Sequence, residues 1–125
     1  MKRVVCIGEC MVELRAVDAQ QFSLSFAGDV YNTAVYLKRS LPAAQVQFLS
    51  ATGDDGMSLA MRRMWRAQQI DDTLAFAVKG GSPGLYLIET DARGELYRVR
   101  SQCAACLVGD SANRRGSDQG GNVRL

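Results

Sequence analysis

Short apolar runs alternate with segments of helical periodicity along the first half of the chain. Val4 to Ile7 is an apolar run that ends at Gly8, which predicts a central strand buried on both faces. A helix is predicted from about Val30 to Leu41, because apolar residues recur there at helical spacing and Pro42 ends the pattern. Val46 to Ala51 predicts a second core strand. This alternation is typical of α/β folds.

The segment between ATGDDG and QID predicts a second amphipathic helix. One face of this helix carries Met57, Ala60, Met61, Met64 and Trp65. Arg62, Arg63 and Arg66 point largely elsewhere, so the helix is expected to pack on the sheet. We interpret the methionine and tryptophan side chains as core filling and not as a binding surface.

The segment GLYLIETDARGELYRVR predicts a β-hairpin. Its strands run from Leu85 to Thr90 and from Glu95 to Arg100, and Gly94 between them is able to take the positive φ of a hairpin bulge. Ser82 to Gly84 forms a turn that leads into the first strand. Apolar and polar residues alternate imperfectly, which indicates that one face covers something other than a permanent core, such as a ligand.

The periodic pattern ends at Leu107. The last segment, VGDSANRRGSDQGGNVRL, has no aromatic residue and is rich in small polar residues and glycine. Such a segment does not bury enough apolar surface to fold alone. The chain is therefore predicted to divide into a folded part, residues 1–107, and a disordered, loosely attached or aberrant tail, residues 108–125.

The composition of the chain argues against several classes of function. The 125 residues fit one domain, and 15 basic against 13 acidic residues leave a net charge of +2 without a basic stripe, so no nucleic-acid partner and no membrane surface are expected. No apolar run is long enough to span a bilayer and no signal peptide is recognisable, so a cytoplasmic protein is expected. The absence of histidine excludes a histidine metal site and a Ser-His-Asp triad.

Four cysteines occur as two pairs, Cys6 with Cys10 and Cys103 with Cys106. Four thiols are sufficient for one tetrahedral zinc ion, and a redox pair is a further alternative. Cys6 lies within an apolar run, however, whereas structural zinc ligands usually lie in loops. Buried free thiols are the favoured interpretation, and no metal site is predicted.

The segment FAGDVYNTAVYLKR places Gly28, Asp29 and Asn32 at the start of the first predicted helix. One interpretation is that Asn32 caps free backbone N–H groups. The other is that Asn32, which follows the helix start, offers its amide to a ligand, while Gly28 allows the ligand to approach the backbone closely. A helix N-terminus favours anionic or strongly hydrogen-bonding groups, which suits a polyhydroxylated, carboxylated small molecule.

Five segments together carry a family resemblance: GECMVEL, FAGDVYNTAVYLKR, SATGDDGMS, AQQID and SPGLYLIETDARGE. In order and spacing they resemble the ribokinase-like (phosphofructokinase-B type) carbohydrate kinases, and in particular the N-terminal part of 2-keto-3-deoxygluconate kinases. The resemblance covers approximately Val4 to Leu107. It implies the N-terminal part of a three-layer α/β fold with a β-hairpin lid, truncated in this chain.

The resemblance also implies a set of substrate-binding residues. Gly28 and Asn32 are expected to grip the sugar with Asp29 beside them, and Tyr86 to lie on the sugar from the lid. Arg100 is the counterpart of an arginine that meets the substrate carboxylate. The family usually has tyrosine two residues before that arginine, where this chain has Arg98. The plainer alternatives are a strand aromatic at Tyr86 and a surface cation at Arg100.

Two further expectations follow from the family. The turn residues Asp54 and Asp55 of GDD are expected to serve architecture and not chemistry. Members of the family carry the catalytic aspartate, in a GAGD segment, and the ATP pocket in their second half. No GAGD segment occurs between Met1 and Leu125, so no catalytic residue is predicted in this chain.

Two hypotheses therefore stand. The first is a sugar kinase fragment that, when complete, phosphorylates 2-keto-3-deoxygluconate or a related sugar acid, with ATP and Mg²⁺ as cofactors that the fragment alone does not bind. The second is a non-catalytic remnant that binds sugar weakly or forms a homodimer through its lid strands. A truncated gene and a frame change near Leu107 are both expected to give such a chain.

Overall fold

The computed structural model describes residues 1–91, 93 and 96–102, the last range by its backbone only. The elements in chain order are β1 (Arg3–Ile7), β2 (Met11–Ala16), β3 (Phe22–Ala27), α1 (Asp29–Ser40), β4 (Gln45–Leu49), β5 (Ala51–Thr52), α2 (Gly56–Ala67), β6 (Phe76–Ala77), β7 (Leu85–Thr90) and β8 (Leu96–Gln102). The predicted α/β class is confirmed. The proposed tail and the hairpin glycine Gly94 lie outside the described residues, as do Cys103 and Cys106.

The core forms where both helices pack on a parallel pair of strands. β1 pairs with β4, and Phe48 of β4 is fully buried between aromatic side chains of α1 and α2. The Phe48 ring centroid lies 4.9 Å from that of Trp65 and 6.0 Å from that of Tyr31, both in edge-on geometry. Aromatic pairs at these separations add stability beyond their buried area. The predicted core role of Trp65 is confirmed, whereas Met64 on the same helix is 41% exposed.

The prediction that the first strand is buried on both faces is wrong for the described residues. Cys6 of β1 is 8% exposed, but its neighbours Val5 and Ile7 are 44% and 68% exposed. The reason is that both helices contact the same face of the sheet, through Phe48, and no described element covers the other face. The fold therefore has one helical layer where it is described.

A second sheet has the strand order β3-β2-β7-β8, and we call it the lid sheet. The predicted hairpin is confirmed as the antiparallel pair β7 and β8, with a register irregularity between Glu89 and Thr90. The sequence reasoning did not predict β2 or β3. The sequence reasoning also gave the hairpin no further strand partner, whereas β2 pairs in parallel with β7 on the side away from β8.

The GDD turn serves architecture, as expected. Asp55 is the N-cap of α2, and its carboxylate accepts a hydrogen bond of 2.8 Å from the backbone N–H of Ser58. Asp54 accepts one of 3.0 Å from the backbone N–H of Gly80. A Cβ atom on Gly53 would lie 1.9 Å from the carbonyl oxygen of Gly81, so only glycine fits at this contact.

Two aspartates hold the connection that leaves α2. Asp72 is 8% exposed and accepts hydrogen bonds from the guanidinium groups of Arg62 and Arg66. Hydrogen bonds from Thr73, with others from Gln45 and Gln47, lower the pKa of Asp71 to about 2. Arg62 and Arg66 thus tie Asp72, in the connection between α2 and β6, to helix α2.

The described cysteines are buried free thiols, as the favoured interpretation predicts. Cys6 and Cys10 are 8% and 3% exposed and form no disulfide. Burial raises the pKa of Cys10 to about 12, an effect that the Trp65 indole partly offsets. Within the described part of the chain, no helix is long and apolar enough to cross a bilayer.

Candidate functional site

The start of α1 is a tight junction between the helix and the segment that links β1 to β2. Gly28 is the N-cap residue, with a φ of 158°. A Cβ atom at this position would lie 2.6 Å from the carbonyl oxygen of Glu9. Glycine is therefore required here by backbone packing, whether or not a ligand also approaches it.

Asn32 does not cap the helix. Its backbone N–H donates to the carbonyl oxygen of Gly28 at 2.7 Å, which places Asn32 within the first turns of the helix, and no side chain caps the start. Its side chain is exposed and forms no hydrogen bond to another described residue. Asp29, the first helical residue, is also exposed. The helix start thus presents an unused amide beside a carboxylate.

Asn32 also lines a groove of about 400 Å³ between β3, α1 and α2. The other lining residues include Ser25, Tyr36 and Arg39. The Arg39 guanidinium donates to the side-chain oxygen of Gln68 at 3.1 Å, which ties the end of α1 to α2. Neither Gly28 nor Tyr86 lines this groove, so the groove is not formed by the set of residues predicted to bind sugar.

Tyr86 lies on β7, and its partner is Glu13 of β2. The Tyr86 hydroxyl donates a hydrogen bond to Oε2 of Glu13, and the strand register pairs the same two residues. Burial and this hydrogen bond raise the pKa of Tyr86 well above its ordinary value. The phenol therefore keeps its proton to a higher pH than an ordinary tyrosine, and the hydrogen bond fixes the direction of that proton.

Cys10 connects the lid sheet to the helix start. Cys10 directly precedes β2, and β2 pairs with β7, which carries Tyr86. On the other side, the Cβ position of Gly28 lies 3.6 Å from the Cα atom of Cys10. The Gly28 position thus packs on Glu9 and Cys10, and Tyr86 contacts Glu13, three residues further along the same segment.

Arg100 lies on β8, and only its backbone is described. It pairs with Leu87, whereas Tyr86 pairs with Ser101. Tyr86 and Arg100 are therefore one position apart in the register of β7 and β8 and do not lie directly opposite each other. Arg98, which stands where the family usually has tyrosine, pairs with Glu89. The role expected of Arg100 remains a prediction.

The sequence reasoning missed Glu13, the residue that orients Tyr86. A signal for it was present, because Glu13 is a polar residue between the apolar Val12 and Leu14, as expected within a strand with one polar face. Its dependence on Tyr86 was not visible, since the two residues are 73 positions apart in the chain.

No cluster of three or more acidic or cysteine side chains suited to a metal ion occurs among the described residues. Mg²⁺ usually keeps several waters and takes one or two carboxylates together with substrate phosphates. The described part of the chain therefore offers no dedicated cage for this ion.

Solved structures with the same fold include sugar kinases. The fold matches a fructokinase from Xylella fastidiosa with a TM-score of 0.69 and 20% identity, over 81% of this chain and 33% of that one. It matches a 2-dehydro-3-deoxygluconokinase from Thermotoga maritima with the same TM-score and identity, over 82% of this chain and 32% of that one. These matches define the fold class as that of the ribokinase-like kinases, represented by its N-terminal portion.

Sequence similarity narrows the class to a family. Residues 1–104 match the model of the pfkB family carbohydrate kinases. The 2-dehydro-3-deoxygluconokinase of Haemophilus influenzae is 41% identical over 110 residues, which are 84% of this chain and 35% of that protein. The enzyme of the same name from Escherichia coli K12 is 40% identical over 108 residues, 83% of this chain and 35% of that protein. The chain belongs to the pfkB carbohydrate kinase family and spans about a third of the length of these relatives.

Proposed function

We propose that this chain supplies the acceptor-sugar side of a kinase for 2-keto-3-deoxygluconate, also called 2-dehydro-3-deoxygluconate, or a related sugar acid. The observation that carries the proposal is the exposed Asn32 amide at the start of α1, which no other described residue engages, next to the close approach of Gly28 to Glu9. The names of relatives about 40% identical support the choice of sugar.

In the proposed site each residue has a distinct role. Asn32 donates to and accepts from sugar hydroxyls, and the helix N-terminus beside Gly28 offers backbone N–H groups. Asp29 adds an acceptor. Tyr86 covers the sugar from the lid sheet, and Arg100 pairs with the substrate carboxylate.

The proposed reaction of the complete enzyme transfers the γ-phosphoryl group of ATP to a primary hydroxyl of the sugar, with Mg²⁺ neutralising the phosphates. A fructokinase of the same fold has been solved with bound ATP. This chain carries no GAGD segment for the base that receives the hydroxyl proton, so the transfer step is not assigned to its residues. We propose the cytoplasm as the location.

A non-catalytic remnant is the second candidate. The chain spans about a third of each relative, and no GAGD segment occurs among its 125 residues. Both candidates require sugar binding at the start of α1, and only the first requires phosphoryl transfer once the chain is completed.

Calorimetric titration of the 125-residue chain with 2-keto-3-deoxygluconate tests the shared claim. The Asn32→Ala chain should bind the sugar about 1–3 kcal/mol more weakly, because polar groups of the ligand lose their partner. Thr33→Ala is the matched control, since Thr33 is equally exposed but its hydroxyl is used within the helix, on the carbonyl oxygen of Asp29 at 2.8 Å. Equal affinity of the Asn32→Ala and unaltered chains would reject the assignment.

An ATP-consumption assay on the chain alone separates catalysis from binding. We expect no turnover, because positioning of ATP and stabilisation of the transferring oxygens supply most of the acceleration in such reactions. The host strain must lack its own 2-keto-3-deoxygluconate kinase. Turnover that persists through purification and falls with Asn32→Ala would show that residues of the turns or of the tail carry catalysis.

A further inference from the structure

One carboxylate joins three strands of the lid sheet. Glu13 on β2 pairs by register with Ser25 on β3 and with Tyr86 on β7. Its Oε2 accepts the hydrogen bond of the Tyr86 hydroxyl, and its Oε1 lies 3.4 Å from the Ser25 hydroxyl and 3.7 Å from a guanidinium nitrogen of Arg15. The Glu13 side chain is only 15% exposed, so few of its hydrogen bonds are left to water.

The pairing fixes where the phenol proton points. A tyrosine hydroxyl has one proton to donate, and an ionised carboxylate only accepts. The proton of Tyr86 is therefore committed to Glu13. A tyrosine of ordinary pKa is already protonated at neutral pH, and the raised pKa of Tyr86 extends this range upward. The phenol oxygen still has lone pairs, so toward a ligand Tyr86 is an acceptor.

Because Tyr86 acts only as a hydrogen-bond acceptor toward a ligand, it selects which group of a sugar acid is able to bind to it. A hydroxyl group donates a hydrogen bond and fits the acceptor. A ketone oxygen and a carboxylate both need a donor, which the committed phenol does not provide. Contact of Tyr86 with either of them would bring two acceptors together and leave both unsatisfied, at a free-energy cost.

We propose that Glu13 is a positioning residue of the sugar site, which orients the Tyr86 hydroxyl so that Tyr86 accepts a hydrogen bond from a substrate hydroxyl and does not contact the keto or carboxylate oxygens. The inference rests on the proposed function, because it takes the sugar to lie against Tyr86. It goes beyond that function by stating which chemical group the lid recognises and which residue sets that choice.

The first test needs no sugar. In the full chain with ¹³C-labelled tyrosine, the Cζ resonance of Tyr86 is followed as the pH is raised. Glu13→Ala should return the pKa of Tyr86 toward its ordinary value, and Glu13→Gln should do so in part, because its amide oxygen still accepts. Ser25→Ala is the control and should leave the titration unchanged. An unaltered titration in Glu13→Ala would overturn the pairing.

The second test measures affinity for 2-keto-3-deoxygluconate. Tyr86→Phe and Glu13→Ala should each weaken binding about fivefold to tenfold, the effect of one hydrogen bond. The double variant should be no weaker than either single one, because the two residues act as a unit. Glu13→Gln should recover most of the loss. Losses that multiply in the double variant would reject the positioning role.

Substrate analogues test the choice of group. The loss caused by Tyr86→Phe should be the same for 2-keto-3-deoxygluconate and for 3-deoxygluconate, in which a hydroxyl replaces the ketone. It should disappear for one analogue that lacks a hydroxyl at C4, C5 or C6. A loss that disappears only when the ketone is replaced would contradict the inference.

The outcomes separate this inference from the proposed function. No binding by the unaltered chain overturns both. Binding that is lost in Asn32→Ala but fully kept in folded Glu13→Ala and Tyr86→Phe chains overturns the inference alone. Far-ultraviolet circular dichroism verifies the fold, and Tyr86→Phe, which keeps the aromatic ring, tests the hydroxyl even if Glu13→Ala fails to fold.

Discussion

Replacement of Gly28 by alanine separates two explanations for glycine at the start of α1. If glycine serves only to let a ligand approach, Gly28→Ala should weaken sugar binding and leave the stability of the chain unchanged. The structure gives a second reason, because the added Cβ atom would lie 2.6 Å from the carbonyl oxygen of Glu9. This oxygen belongs to the backbone and cannot rotate away as a side chain would.

The expected loss of folding stability in Gly28→Ala follows from this geometry. Carbon and carbonyl oxygen atoms normally approach to about 3.3 Å, so the backbone must shift by roughly 0.7 Å. Overpacking of this kind and an unfavourable φ each cost about 1–3 kcal/mol, so we expect a total loss of stability of about 2–6 kcal/mol. The φ of 158° at Gly28 contributes to this total, since residues with side chains rarely adopt it.

Urea unfolding followed by tryptophan fluorescence provides the assay. Trp65 is the only tryptophan and is fully buried, so its emission reports on the core. The midpoint should fall by about 1–3 M, given a dependence of roughly 2 kcal/mol per M, the middle of the range for small proteins. Gly56→Ala is the control, because the Cβ position at Gly56 has no neighbour within 4 Å. An unchanged midpoint in Gly28→Ala would refute the packing argument.

Three further predictions concern charge and association. The pKa of Asp71, lowered to about 2, lies below its unfolded value of about 3.9, so its stabilising effect is present above that value and is lost as the pH falls toward 2. Urea midpoints at several pH values should therefore depend less on acid in Asp71→Asn. Arg100→Leu should weaken binding of the sugar acid far more than that of a neutral analogue, and equal losses in calorimetry would indicate a structural arginine. Sedimentation should show a dimer at high concentration that Leu24→Lys disrupts, because Leu24 is 48% exposed on the outer strand β3; a monomer throughout would contradict this.

Local signals in the sequence were sufficient for the helices and for the β7 and β8 hairpin. Periodicity and Pro42 predicted the first helix to within one residue at each end. Asp55 is the N-cap of the second helix, as expected of an aspartate in the turn before a helix. The strand β3 was missed although apolar and polar residues alternate from Phe22 to Phe26, a pattern typical of a strand.

Features that depend on distant parts of the chain could not be predicted in this way. The parallel pairing of β2 with β7 joins residues more than seventy positions apart, and nothing local in either strand specifies it. The apolar run at β1 indicated a strand but not what covers each of its faces. Gly28 and Asn32 were predicted as sugar-binding residues from a local motif, whereas the partnership of Glu13 with Tyr86 was visible only in the structure.

The central claim is that the start of α1 and the lid sheet form the sugar side of a kinase site. Titration of the ¹⁵N-labelled chain with 2-keto-3-deoxygluconate, observed by two-dimensional NMR, tests it most directly. We predict saturable shifts of the backbone resonances of Gly28, Asp29 and Asn32, together with Glu13 and Tyr86. The same residues should not respond to glycerol at equal concentration. Shifts confined to the groove around Tyr36 and Arg39, or no shifts at any concentration of the sugar, would contradict the claim.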